Sequence, residues 1–213
     1  MNHESNQMNT KLKQVIALVV SGVVLVSIYY GSYLPLQKSQ AFIDTLRNMD
    51  RMTSLEEVEA SFSEVFAIPS PIGQEELVRH FNNIALQTAQ QSGGSNPALT
   101  ENLVAYVGAN YEPFLTQGRG MSVSQDIFLF GALNQTAFLQ TKKPEYLEKS
   151  INLFELGREL GPNRPQFLYQ LFDVYQIANE REKAIEVGEK ILSNWPEDSR
   201  VKARLAELQK TSA

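Results

Sequence analysis

PQFLYQLFDVYQIANEREKAIEVGEKILSNWPED, residues 165–198, is the stretch that decides the fold. Leu168, Leu171, Phe172 and Tyr175 recur at intervals of three and four, which places large apolar groups on one helical face. Ala184, Gly188 and Ile191 recur at the same intervals further on, with smaller side chains. Asn179 stands between the two runs, and asparagine tolerates the left-handed backbone of a tight turn. Large groups on one helix and small ones on the next describe a packed helical hairpin.

Pro162 and Pro196 lie 34 residues apart, the period of the tetratricopeptide family. Aligned on them, the chain falls into two units, 131–164 and 165–198, and the second resembles a tetratricopeptide repeat. Phe172 stands where that motif prefers a small residue and Gly188 where it prefers an aromatic. Exchanging large for small across the helix pair would conserve volume. In the first unit Ala137, Phe138, Ser150, Phe154, Gly157 and Pro162 fit the motif, while Asn134 and Thr141 depart from it. Lys142-Lys143-Pro144 shortens its turn, with Pro144 at the first helical position.

The resemblance implies a concave surface lined by the first helix of each repeat. Its exposed positions would be Gln135, Leu139, Lys142, Gln166, Tyr169, Asp173 and Gln176. A groove of mixed polar and aromatic character suits an extended peptide or a partner helix. The opposing expectation is that two repeats make too short a groove, so that this face packs on earlier helices. Residues 199–213 form a last helix capped by Asp198 or Ser199. Its polar outer face (Lys202, Arg204, Glu207, Lys210) is what the end of a solenoid requires.

Working back toward the start, residues 37–130 read as a helical region of degenerate repeats. A first helix carries Ala41, Phe42, Leu46 and Met49; a second, opened by the capping box Ser54-Leu55-Glu56-Glu57, carries Leu55, Val58, Phe62, Val65 and Phe66. Pro69 and Pro71 break it. A third runs from Gly73 to Gln91, and a fourth from Leu99 to Leu115 through Leu103, Val107 and Tyr111. Ser92-Gly93-Gly94-Ser95-Asn96-Pro97 lacks the Lys-Ser/Thr of a phosphate loop and reads as spacing.

Gln14 to Gln37 carries no charge and is rich in Val, Ile and Leu. A helix over residues 14–36 would be about 35 Å long, enough to cross a hydrocarbon core of about 30 Å. Tyr29, Tyr30 and Tyr33 crowd its far end like an aromatic belt, Pro35 closes it, and Lys13 and Lys38 flank it. Cleavable signal sequences have shorter apolar cores, so the span reads as a retained anchor in the bilayer. Lys11 and Lys13 favour a cytoplasmic N-terminus and an extracytoplasmic body. Residues 1–13 read as a disordered cytoplasmic tail. The fold expected is therefore all-α, one transmembrane helix followed by a tetratricopeptide-like α-solenoid.

The net charge of -5 argues against nucleic acid, which needs a basic face. There is no cysteine, and two histidines (His3 and His80) cannot build a zinc site at usual spacings, so no metal and no cofactor is expected. Glu56, Glu57, Glu59, Glu75 and Glu76 sit in first helical turns, where they complement the helix dipole. Asn134-Gln135-Thr136 has the form of a glycosylation acceptor but falls inside a helix. Arg119, between two glycines, reads as a solvated loop residue. The chain therefore reads as a partner-binding protein without catalytic residues.

The feature order resembles something larger. A span is followed by Tyr29-Tyr30, Tyr33-Leu34-Pro35, a charged helix with Ala41, and a capped helix ending at Ser63-Glu64-Val65-Phe66. Gly73-Gln74-Glu75-Glu76 then opens a long helix before the repeat pair. Over residues 14–210 this is similar to the last span and repeat region of O-antigen ligase and polymerase-like membrane proteins. The resemblance implies a repeat domain near envelope glycan assembly. The polytopic part that carries the glycan chemistry in that family has no counterpart here, so no catalytic residue carries over.

Overall fold

Helix runs uninterrupted from Asn2 to Asn48 in the computed structural model, which describes residues 2–51, 55–117 and 121–210. It comprises α1 (Asn2–Ile28), a π-helical turn (Tyr29–Tyr33) and α2 (Leu34–Asn48). Lys11–Asn48 is long and apolar enough to cross a membrane, and its most apolar stretch is wholly uncovered by protein. Leu18, for example, is 77% exposed.

Two expectations are corrected here. Pro35 does not close the span. In a regular α turn its ring would press on the carbonyl of Gly31. The turn ahead of it widens instead, Leu34 N–H donating to the Tyr29 carbonyl five residues back. The N-terminal segment, expected to be disordered, is helical from Asn2. Residues 2–13 contain neither proline nor glycine. Extending a helix that is already nucleated adds a hydrogen bond for each residue fixed.

The chain divides into two compact units, Met1–Leu77 and Val78–Ala213. In the first, α3 (Leu55–Ala67) returns antiparallel along α2. The Phe42 and Phe62 rings meet edge-on with centroids 6.1 Å apart. Four residues earlier on α2, Lys38 reaches the other end of α3. Its Nζ donates to the carbonyls of Ile68 (2.9 Å) and Phe66 (3.4 Å) and to the side chain of Gln74. Lys38 is 4% exposed. The lysine expected to flank the membrane instead caps a helix C-terminus, where a cation opposes the negative end of the dipole.

Helix α4 (Gln74–Gln91) starts in the first unit and from Val78 belongs to the second, where it meets α5 (Pro97–Gln117) through the rings of Phe81 and Tyr106, 5.1 Å apart. The helices α6 (Met121–Thr141), α7 (Pro144–Leu160), α8 (Pro165–Ile177), α9 (Arg181–Asn194) and α10 (Ser199–Lys210) follow. From α5 onward each packs on the next in sequence. The region expected as one piece over 37–130 is thus shared between the units, because α2 and α3 pack on each other. The Ser54 cap, the Tyr111 side chain and Arg119 lie outside the described residues.

Glycine seats an aromatic ring at three helix junctions of this unit. A Cβ on Gly131 of α6 would stand 2.5 Å from the Phe154 ring of α7. One on Gly157 of α7 would collide with the Phe167 ring of α8, and one on Gly188 of α9 would lie 2.9 Å from Phe172 of α8. The expected exchange of volume between positions 172 and 188 is therefore present. All three phenylalanines are fully buried. Each such side chain contributes about 1.5–3 kcal/mol of apolar burial. Asn179, at φ 59, turns α8 into α9, and Lys142, at φ 60, turns α6 into α7.

Candidate functional site

The seven residues expected on a concave face separate into two groups. Three of the four on α8 are engaged from within the chain. Tyr169 donates its hydroxyl to Asp198 Oδ2 at 2.5 Å, and its ring lies 6.0 Å from that of Trp195. Asp173 pairs with Arg204 of α10 at 2.6 Å, while the Arg204 guanidinium lies 4.6 Å over the Phe172 ring. Gln176 turns its amide back to the Phe172 carbonyl at 2.7 Å. Gln166 remains exposed.

Helix α10 packs on α9 and reaches α8 through these side-chain contacts. Asp198 accepts from the backbone N–H groups of Arg200 (3.1 Å) and Val201 (3.0 Å), which makes it the N-cap. The same carboxylate takes the Tyr169 phenol, so one side chain both starts α10 and fixes it to α8. The Tyr169 bond, with the two backbone bonds, holds the Asp198 carboxyl below its ordinary range. The same hydrogen bond raises the Tyr169 phenol. The cap was legible from the sequence, but its second partner, 29 residues away, was not.

The residues on and after α6 stay more available. Leu139 is 49% exposed, Lys142 is exposed with its ammonium 5.7 Å over the Phe138 ring, and Gln135 is half-buried. Their neighbour Gln140 faces inward. It donates to the Ala89 carbonyl at 2.8 Å and accepts from Thr100 at 2.7 Å, tying α6 to the α4–α5 connection. The exposed face beside it is therefore carried on a braced helix. Asn134 is 1% exposed and donates to the Phe130 carbonyl, which removes it as a glycosylation acceptor.

A cleft of about 290 Å³ opens between α7, α8 and α9, lined by Glu155, Arg158, Tyr175, Lys183 and Glu186 among others. Its charges answer one another. Arg158 pairs with Glu155 at 2.7 Å and with Glu186 at 3.5 Å, Tyr175 donates to Glu155, and the Lys183 ammonium lies 5.2 Å over the Tyr175 ring. Burial first, and then the bond to Glu155, push the Tyr175 phenol far above its ordinary value. This is a stabilising polar network along a helix junction. Among the described residues, no group of three His, Asp or Glu side chains could hold a metal ion. No family model matches the chain, and no curated protein or solved structure matches it.

Proposed function

We propose that this chain is a single-span membrane protein, N-terminus cytoplasmic and body extracytoplasmic, whose tetratricopeptide-like helical array binds or scaffolds a protein partner at the membrane surface. The observation that carries the reading is the pairing of a wholly uncovered apolar helix with a second unit of successively packed helices. The partner surface is the α6 face around Leu139, Lys142 and Gln135, since Tyr169, Asp173 and Gln176 of α8 already have partners within the chain. Anchoring confines the protein to two dimensions and raises the effective concentration of that face for other membrane proteins. The order of features from Tyr29 to Gln74 favours one client, a polytopic glycan transferase of envelope assembly, with this chain as its auxiliary domain.

Photo-crosslinking from position 139 in native membranes, followed by mass spectrometry, tests this. One dominant protein adduct supports a scaffold, and a polytopic transferase as that adduct supports the auxiliary role. Self-adducts alone, or none, would overturn both.

A further inference from the structure

The first unit brings a second apolar element to the level at which the span ends. Helix α3 runs antiparallel to α2, so the residues after Ala67 form the end of the hairpin nearest the apolar span. Lys38 fixes that end by holding the carbonyls of Phe66 and Ile68 and the side chain of Gln74. Lys38 lies two residues beyond the span, about 3 Å along the helix axis. A lysine at this depth ordinarily extends into the headgroups. Here its ammonium is spent on positioning the segment.

That segment is built for an apolar boundary. From Val65 through Gln74 there is no charged residue, while Glu64 and Glu75 flank it. Ile72 is 60% exposed, and Pro69 and Pro71 beside it are exposed too. Leu36, at the end of the span, is 55% exposed at a similar depth. Ser70 closes the segment on itself, its hydroxyl donating to the Ile72 carbonyl at 2.7 Å, and Gly73 turns it at φ 89. Prolines and this local bond hold Ile72 outward without the entropy of a free loop.

We propose that residues 68–73 form a second membrane contact, an uncharged tip that seats Ile72 among the lipid headgroups and upper acyl chains beside the span. The inference rests on the helix over residues 14–36 crossing the bilayer. Burial at this boundary reaches about 5–10 Å into the headgroup region. Two contacts on one bilayer set the tilt of the α2–α3 hairpin, which a single helical anchor leaves free to rotate.

The chain has no cysteine, so single reporters can be placed without background. Full-length Ile72→Cys and Leu25→Cys, each carrying an environment-sensitive nitrobenzoxadiazole label, would be reconstituted in phosphatidylcholine–phosphatidylglycerol vesicles. Lipids spin-labelled at an upper or a lower acyl carbon serve as quenchers. The label at 72 is expected to shift to the blue and to lose more emission to the upper quencher, that at 25 to the lower. If 25 is quenched while 72 stays red and unquenched, the tip does not touch lipid and the proposal fails while the span stands. A blue shift at 72 that ignores both quenchers and grows with protein density assigns the tip to another protein chain, and also overturns it. Absence of quenching at 25 removes the span and the proposal together.

Discussion

The ring of Phe172 occupies the space a Cβ on Gly188 would need, with Cε2 2.9 Å from that point and Leu205 Cδ1 3.1 Å from it. Gly188→Ala therefore sets two effects against each other. Alanine gains about 1 kcal/mol of helix propensity, while overpacking costs about 1–3 kcal/mol. The expected result is net destabilisation, read by urea unfolding of the full chain in mild detergent. In a Phe172→Leu background the clash is relieved, so the same alanine should become stabilising. The same sign in both backgrounds would show that the two positions do not share volume.

Gly157→Ala should be the more severe change. Three ring atoms of Phe167 crowd the Cβ position, and Phe167 is fully buried with Phe128 against it at 6.1 Å. The ring has nowhere to go, so the overpacking term dominates. A melting temperature equal to that of Gly188→Ala would contradict this ranking.

Tyr175 is 2% exposed. Truncation of a buried aromatic costs about 3–5 kcal/mol, so Tyr175→Ala should lower the unfolding midpoint sharply. Its pH dependence has a definite sign. The folded phenol titrates above its ordinary value of 10.0, so its contribution is fully present below pH 10 and is lost as pH rises beyond that. Tyr175→Phe should flatten this alkaline loss in a stability–pH titration. An unchanged alkaline limb would assign it to other groups.

Lys38→Met keeps an unbranched stem but leaves the Ile68 and Phe66 carbonyls without their donor. These acceptors are part-buried, so the cost should lie toward the lower end of the range of about 1–3 kcal/mol for an unsatisfied buried acceptor. Hydrogen exchange at the end of α3 should accelerate in the variant while α8 and α9 keep their protection. Uniform protection throughout would mean that the ammonium is dispensable.

Tyr169→Phe removes the donor that joins α8 to the cap of α10. Because Asp198 is held below the ordinary carboxylate range, its contribution is present above that range and is lost as pH falls through it. Loss of helical ellipticity as pH falls through the carboxylate range should begin at higher pH in Tyr169→Phe than in the parent. Coincident acid transitions would show that the bond does not hold the helix down.

The elements that could be read directly from residue order are those with local causes. Apolar spacing around Leu168, Leu171 and Tyr175 marks α8, and Asn179 marks the turn that follows it. Pro144 opens α7, Asp198 caps α10, and an uncharged run from Gln14 to Gln37 makes a helix long enough to cross a membrane. Each depends on neighbours within a turn or two, so sequence alone contains the information. Pro35 fails to end the helix for the opposite reason: its clash is with a carbonyl whose position depends on how the preceding turn is wound, and a π turn removes it.

What only the tertiary structure decided is how side chains far apart in the chain are spent. Lys38 reads as a membrane-flanking cation until the end of α3 arrives 30 residues later to use its ammonium. Tyr169 and Asp173 read as free groove residues until Asp198 and Arg204 pair with them. Periodicity reports which face of a helix is polar, but not whether water or another part of the chain satisfies it. That choice depends on which distant helix packs there.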